Sequence, residues 1–192
     1  MTYSEWKAEI VKCAALKSVH QEFTQLVHPV FSVQILNKAV GMKDSLALFM
    51  QQGEICIEID KRPYRMTGMA VLIVLPRQQL NIISASPDFD GIICLISIPF
   101  FNLFEIKNAA QTYMSILRKP CYAVGEENMK KIVSYSHAMF RAMNQLENPY
   151  RKDVVKHLMK ARFYELHYLF VQDTEAREDG APQIFGSFLH QL

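Results

Sequence analysis

Two short apolar runs separated by turn-forming residues constrain the fold of this chain more than any other feature. The runs cover residues 55–59 and 70–75, and they are rich in β-branched residues and too short to be core helices. Gly53 and Gly68 precede them, and Pro76 ends the second run. Because glycine tolerates positive φ and proline fixes φ, each of these residues marks a turn. The pattern predicts an antiparallel meander with tight corners, in the middle of a small barrel or jelly roll.

Strand-like segments on both sides of these runs predict a β-rich first half. Residues 31–36 and 79–84 alternate apolar with polar side chains, and residues 46–51 and 92–98 are apolar. About seven short strands with close turns leave no room for crossover helices, which favours a barrel or jelly roll. The chain has 192 residues, 50% of them hydrophobic, so it is long enough to bury a core of its own.

The periodicity changes from strand to helix after Pro99. Apolar residues at i, i+3, i+4 and i+7 spacing predict an amphipathic helix over residues 126–146. Asn148 and Pro149 supply an N-cap and a first-turn proline for a second helix, which is predicted to end at about residue 172. Because the connection is short, the two helices should pack antiparallel. The predicted fold class is therefore α+β, an antiparallel β-barrel or jelly roll followed by a C-terminal helical pair.

The patterns divide the chain into four predicted segments. Residues 1–29 form an N-terminal helix or arm, in which Thr2 and Glu5 have the spacing of a capping box. Residues 30–107 form the barrel, and residues 108–172 form a helical dimerisation region. Residues 173–192 form a linker and the start of another amphipathic helix, which the end of the chain interrupts. We therefore expect the chain to be a fragment of a longer protein.

The second long helix has apolar residues on two sides, which predicts a partner for the side that bears tyrosines. Tyrosine is amphipathic and enriched at interfaces, so a homodimer is predicted, although the same side could instead cover the barrel or helical pair of its own subunit. Arg162 lies within the other, apolar stripe; a snorkelling or ion-paired side chain is the favoured interpretation over one that couples the helix to the barrel. The predicted dimer residues are Val154, Ala161, Tyr164, Tyr168 and Val171.

Composition and motifs exclude several classes of function. The net charge of +2 gives no electrostatic case for nucleic-acid binding by this chain. No apolar run approaches the roughly 20 residues that span a bilayer, and the first residues do not resemble a signal peptide. The four cysteines show no C-x-x-C spacing, so the simplest expectation is a reduced, cytoplasmic protein without a membrane partner.

The residues that carry chemistry in small β-barrels are scarce here. No histidine lies between His28 and His137, so the histidine-based metal site of many cupin barrels is missing. Neither a G-x-S-x-G motif nor a phosphate-binding glycine loop occurs. We therefore expect no catalytic residues, no metal and no cofactor.

The barrel interior remains as a candidate site for a small ligand. Such sites are mostly apolar with a few placed polar groups. The alternative is a barrel filled only by Ile, Leu, Val and Met side chains. The polar or aromatic residues on predicted strands that could point inward are Gln34, Phe49, Gln51, Tyr64, Arg65, Gln79 and Asn81.

This order of parts resembles the N-terminal half of AraC-type transcriptional regulators. The resemblance rests on GEICIEIDKRPYRMTGMAVLIVLP (53–76), SPDFDGIICLIS (86–97) and NPYRKDVVKHLMKARFYELHYLF (148–170). The terminal IFGSFLHQL (184–192) resembles the helix that opens the family's linker to its DNA-binding module. The resemblance covers residues 30–192, whereas residues 1–29 match no known pattern.

The resemblance implies a cupin-like barrel that binds a small effector and dimerises through its helices. DNA would be bound only through a helix-turn-helix module that this chain lacks, and the effector is unknown. Two alternatives stay open, a cyclic-nucleotide-type β-roll sensor and a metal-free cupin isomerase. The phosphate cassette of the β-roll sensors fits poorly, because Arg62-Pro63 and Arg65-Met66 follow Gly53-Glu54 in place of Arg-Ser-Ala.

Overall fold

The computed structural model describes residues 1–19, 22–107 and 109–178, and the side chains of residues 19, 109 and 171–178 are not among those described. These residues form an α+β fold with a β-rich first half and a helical second half. The elements in chain order are α1 (Tyr3–Lys12), β1 (Ala14–Val19), β2 (Phe23–Pro29), β3 (Val40–Gly41), β4 (Ser45–Gln52), β5 (Glu54–Ile59), β6 (Arg62–Thr67), β7 (Ala70–Val74), β8 (Gln79–Ala85), β9 (Asp90–Ile96), α2 (Ile98–Asn102), α3 (Ala109–Arg118), β10 (Cys121–Ala123), α4 (Glu126–Asn144) and α5 (Arg151–Glu178).

The strands form two antiparallel sheets that face each other as a jelly roll. The large sheet has the order β1-β2-β9-β4-β7-β10, and the small sheet has the order β3-β8-β5-β6. When β2 to β9 are counted as eight successive strands, the two orders become 1-8-3-6 and 2-7-4-5. This is the order of a jelly roll built from two Greek keys. The predicted jelly roll is thus confirmed, as two separate sheets and not as a closed barrel.

The predicted turns around the central apolar runs are present, but the predicted meander is wrong. Gly53 and Gly68 have φ of 86° and 66°, and Asp60 and Lys61 form a two-residue turn with φ of 51° and 67°. That turn joins β5 to β6 as a hairpin in the small sheet. The next strand, β7, crosses to the large sheet and pairs with β4 and β10. The turns are specified by the residues that form them, whereas the pairing of β7 depends on strands that are distant in sequence.

The sheet begins earlier than the sequence predicts. Residues 14–19 and 23–29, which the predicted arm contains, form β1 and β2 of the large sheet. In contrast, residues 31–36 do not form the predicted strand, because residues 33–37 form a turn that carries Ile35 into the core. The capping box of Thr2 and Glu5 is present at the start of α1. The division of the chain at residues 29, 107 and 172 stays a prediction.

Apolar side chains fill the space between the two sheets, which we call the inner core. It contains the inward-facing residues of both sheets, such as Leu48, Ile57 and Leu95, each 2% exposed or less. Trp6 and Ile10 of α1 belong to the same cluster. The interior is therefore packed with aliphatic and aromatic side chains, as in the alternative that predicts a filled barrel.

The other face of the large sheet is also buried, against the helices. We call this second cluster the outer core; it contains Phe49, Cys94 and Tyr122 from the sheet, and Met139 and Phe170 from α4 and α5. Strands β4 and β9 are consequently buried on both faces and read as continuous apolar runs. Strand β5 of the small sheet is covered on one face only, and its residues alternate.

Helices α4 and α5 pack antiparallel, as predicted. Lys131 of α4 pairs with Glu165 of α5 at 2.7 Å, and Ser136 bonds to Arg162, so residue numbers rise on one helix as they fall on the other. The second helix starts two residues after Pro149 and runs to Glu178, beyond the predicted end at 172. The helix predicted to start at residue 184 lies outside the described residues. None of the described helices is long and apolar enough to cross a membrane.

Candidate functional site

A cavity of about 470 Å³ lies between the outer face of the large sheet and helices α2, α3 and α5. Its sheet wall comes from the ends of β4, β7 and β9, and its helical wall from side chains that the amphipathic pattern turns towards the sheet. The principal lining residues are Ala47, Phe49, Ile73, Leu75, Ile96, Phe101, Phe104, Ile116, Met159, Phe163 and Leu166. The cavity is thus outside the jelly roll, in the outer core.

The volume and the lining are those of a small-molecule site. Pockets of roughly 300–1,000 Å³ that are mostly apolar, with a few polar groups, are the usual form of such sites. The polar lining residues among those described include Ser45, Asn102 and Thr112, and the charged ones are Arg77 and Arg162. No described acidic residue lines the cavity. The described lining is therefore apolar with a positive charge.

Arg162 is the buried charged residue of this site. Its side chain is 2% exposed, and its Nη1 donates hydrogen bonds to Ser136 Oγ at 2.9 Å and to Cys94 Sγ at 3.5 Å. The guanidinium also lies over the ring of Phe49, 4.7 Å from its centroid. None of the ion pairs between described residues involves Arg162. The interpretation as a snorkelling or ion-paired side chain is wrong, and Arg162 instead couples α5 to α4 and to the large sheet.

Ser136 joins these contacts into a network across the outer core. It is fully buried in α4; its backbone oxygen accepts a hydrogen bond of 2.9 Å from Gln25 Nε2, which comes from β2. Its hydroxyl accepts from Arg162. Burial raises the pKa of the Cys94 thiol, an effect that the nearby guanidinium opposes. Cys94 therefore contacts Arg162 as a neutral sulfur and does not neutralise its charge.

The predicted ligand residues do not form one interior site. Gln34, Arg65 and Gln79 are exposed, and Arg65 pairs with Glu54 at 2.7 Å, so an interior position is wrong for these three. Gln51 is half-buried at the end of β4.

Phe49 alone among the predicted residues lines the cavity, and it does so from outside the jelly roll. Tyr64 is half-buried against the inner core. Asn81 pairs across strands with Glu58, to which its Nδ2 donates a hydrogen bond of 3.1 Å. Whether any of these side chains binds a ligand stays a prediction. The position of Arg162 within an otherwise apolar helical stripe was the sequence signal for this site, and it was interpreted wrongly as a snorkelling or ion-paired side chain.

The predicted dimer residues lie along an accessible side of α5. Val154, Tyr164 and Tyr168 are 40%, 38% and 59% exposed, and Ala161 is half-buried. The side chain of Val171 lies outside the described residues. The dimer itself stays a prediction.

His167 of α5 connects that helix to α3. It is half-buried, and its Nδ1 is hydrogen-bonded to Thr112 Oγ1 of α3 at 2.9 Å. Its ring also stacks on that of Phe163 at 6.4 Å. His157, in contrast, is exposed. The contact with Thr112 ties α3, one wall of the cavity, to α5.

No cluster of three or more His, Cys, Asp or Glu side chains suitable for a metal occurs among the described residues. No protein-family model and no curated protein sequence matches the chain.

Several solved structures are similar in fold at low sequence identity. The apo form of a ToxT variant from Vibrio cholerae strain SCE256 is 13% identical over 79% of this chain and 58% of its own, with a TM-score of 0.48. Wild-type ToxT of that strain, bound to an unsaturated fatty acid, is 12% identical over 81% of this chain and 58% of its own, with a TM-score of 0.45. The Schizosaccharomyces pombe Cnp3 cupin domain is 14% identical over 47% of this chain and 63% of its own, with a TM-score of 0.36.

This chain therefore spans 58% of the length of the ToxT chains. Because all three TM-scores are below 0.5, these likenesses carry no argument about ligand or function.

Proposed function

We propose that this chain is the ligand-sensing and dimerisation part of an AraC-type transcription regulator, with its effector in the cavity between the large sheet and α5. The observation that carries the proposal is the origin of the cavity walls. Phe49 and Ala47 come from the sheet, whereas Met159, Arg162 and Leu166 come from the helix proposed to dimerise. A molecule in this cavity contacts both parts at once.

The contacts of Arg162 give the ligand a route to the helical pair. Its guanidinium bonds to Ser136 of α4 and to Cys94 of β9, so it links three elements in the outer core. If Arg162 contacts the ligand more closely in one arrangement of these three elements than in another, binding of the ligand stabilises the first arrangement. The inner core is a less suitable place for an effector, because Trp6 and its neighbours fill it.

The remaining parts of the proposal follow from the resemblance and from the side of α5 that bears tyrosines. A homodimer forms through Val154, Tyr164 and Tyr168, and DNA is bound by a separate module in the cytoplasm. The chain itself catalyses no reaction. In such a regulator, binding of the effector has to alter the packing of α4 against α5.

A variant that fills the cavity tests where the effector binds. Ala47 lies on the outer face of β4, and Ala47→Leu adds three carbon atoms to the cavity. A thermal-shift screen of metabolites should yield compounds that raise the Tm of the native chain by mass action and lose this effect in Ala47→Leu. Ala123→Leu, at an exposed position of β10, is the matched control and should retain the effect.

Hydrogen exchange then tests whether binding reaches the helices. A compound from the screen should change the exchange rates of α4 and α5 amides around Ser136 and Arg162. Compounds that raise the Tm of Ala47→Leu as much as that of the native chain would place the effector elsewhere. Binding without any change in α4 or α5 would contradict the sensing role.

A further inference from the structure

The chemical class of the effector can be inferred from the same cavity, and this inference rests on the proposed function. We infer that the cavity binds an amphipathic anion, an aliphatic monocarboxylate whose carboxylate pairs with Arg162 and whose chain extends along β4. The charge, the hydrogen-bonding capacity and the shape of the site each support this assignment.

The charge of the site is uncompensated. Arg162 is 2% exposed, and its guanidinium contacts only neutral groups among the described residues. A buried charge is costly unless it is paired with an opposite charge. Since no described acidic residue lines the cavity, an anionic ligand is what would complete the pair.

The guanidinium also has hydrogen-bonding capacity to spare. Both hydrogen bonds that it makes to described residues use Nη1. Its Nε and Nη2 donate to no described protein atom. A guanidinium has five N–H donors in a planar fork, and a carboxylate accepts two of them side by side. A planar, bidentate anion therefore fits better than a neutral hydroxyl group.

The shape of the cavity requires an apolar body behind the anion. Buried Phe49 lies under the guanidinium of Arg162 at one end of the β4 stretch, and half-buried Ser45 begins β4 at the other end. Exposed Arg77 follows β7, whose Val74 pairs with Leu46 beside Ser45. Phe49 and Ser45 are four residues apart on β4, which corresponds to about 14 Å at about 3.4 Å per residue. The side chains between these ends are predominantly aliphatic and aromatic. A compact polar anion would leave this lining in contact with water, whereas an alkyl chain covers it.

Three probes with the same decyl chain separate charge from apolar burial. Isothermal titration calorimetry with decanoate, decanol and decyltrimethylammonium, each below its micelle concentration, measures binding to the native chain. Decanoate should bind about ten- to a hundredfold more tightly than decanol, since a hydrogen bond to a charged group adds that much affinity. Decyltrimethylammonium should bind more weakly than decanol, because it brings a like charge next to Arg162.

Variants of the two arginines locate the charge that is responsible. Arg162→Met should reduce the affinity for decanoate to that for decanol, and it should remove the penalty on decyltrimethylammonium. Arg77→Met, at the exposed end, should change the ratio of decanoate to decanol affinity by less than about threefold. Arg162→Lys keeps the charge without the fork and should give an intermediate ratio. If circular dichroism shows that Arg162→Met does not fold, the lysine variant and the three probes on the native chain still test whether the ligand is an anion that pairs with Arg162.

Failure of this inference is distinguishable from failure of the proposed function. Equal affinity of the native chain for decanoate and decanol, with both weakened by Ala47→Leu, would keep the cavity as the effector site but overturn the anion. A preference for decanoate that Arg162→Met leaves intact would also overturn the assignment. If all three probes bind equally to the native chain and to Ala47→Leu, or do not bind at all, this inference is overturned. The metabolite screen with Ala47→Leu then decides separately whether the cavity is the effector site.

Discussion

Replacement of Trp6 by alanine tests whether the N-terminal helix belongs to the inner core. Trp6 is 1% exposed, and its ring stacks on that of Tyr3 with centroids 6.0 Å apart. The hydroxyl of Tyr3 donates a hydrogen bond of 2.6 Å to Asp44 Oδ2, which fixes α1 to the loop before β4. If these contacts hold the helix in place, loss of the indole leaves a cavity beside both sheets.

The size of the effect follows from the area that the indole buries. A buried aromatic side chain removes about 150–250 Å² from water, which at about 25 cal/mol per Å² corresponds to about 4–6 kcal/mol. Measured truncations of buried Phe and Trp to Ala cost about 3–5 kcal/mol. We therefore expect Trp6→Ala to lower the free energy of unfolding by about 3–5 kcal/mol. For a chain of this size the Tm should fall by roughly 6–20 °C, at about 2–4 °C per kcal/mol.

Guanidinium unfolding followed by far-ultraviolet circular dichroism measures this change. Trp6 is the only tryptophan, so fluorescence cannot follow the variant in the same way. Ser4→Ala, on the exposed side of the same helix, is the control and should change the free energy of unfolding by less than about 0.5 kcal/mol. A loss below about 1 kcal/mol for Trp6→Ala would show that α1 does not fill the interior, and the argument against an effector inside the jelly roll would fail.

Three further changes test the turn chemistry, the buried phenol and the dimer. Gly53→Ala should destabilise the chain by at least about 2 kcal/mol in guanidinium unfolding, because φ is +86° and the new Cβ would lie 2.6 Å from a backbone atom. The control is Gly41→Ala, whose new Cβ would have no atom within 4 Å and which should cost less than about 1 kcal/mol. Burial and a carboxylate hydrogen bond raise the pKa of Tyr3 above its ordinary value of 10.0. The folded chain therefore keeps Tyr3 neutral where the unfolded chain ionises it, so the free energy of unfolding should fall as pH rises above about 10, and less steeply in Tyr3→Phe. Tyr168→Glu should convert the dimer to a monomer in sedimentation velocity, whereas Lys152→Glu on another side of α5 should not.

Each of these changes has an outcome that contradicts its premise. Equal costs for Gly53→Ala and Gly41→Ala would mean that the turn before β5 does not require positive φ. An identical alkaline slope in the native chain and Tyr3→Phe would remove Tyr3 as a cause of the pH dependence. A native chain that sediments as a monomer at high micromolar concentration would remove the dimer from the proposed function.

The parts of the fold that follow from local chemistry could be predicted from the sequence. Gly53 and Gly68 mark turns because their backbone conformation is one that other residues adopt only with strain. The two long helices follow from the spacing of their apolar residues, which a single packed face requires. These signals depend on a few neighbouring residues, so they can be recognised without knowledge of the tertiary structure.

The parts that depend on distant contacts could not be predicted. Strand β2 is buried at every position except His28, so it lacks the alternation that would distinguish it from a helix. The pairing of β7 with β4 is likewise set by the order of strands in the whole jelly roll. The site shows the same limit, because Arg162 meets Ser136 and Cys94 from 26 and 68 residues away. The stripe on α5 identified the buried face but not what the arginine in it would contact.

One signal for the site was nevertheless present in the strands themselves. Residues 55–59 alternate, and β5 proves to have one covered face and one wet face. Residues 92–96 do not alternate, and β9 is buried on both faces. In a jelly roll one face of every strand meets the interior, so a continuous apolar run requires a second layer on its other face. Only the helices that follow residue 97 supply such a layer in the described chain, and the cavity with Arg162 lies between them and these strands. The contrast between alternating and continuous strands therefore indicates which sheet faces the helices, and with it the place where a ligand can act on both.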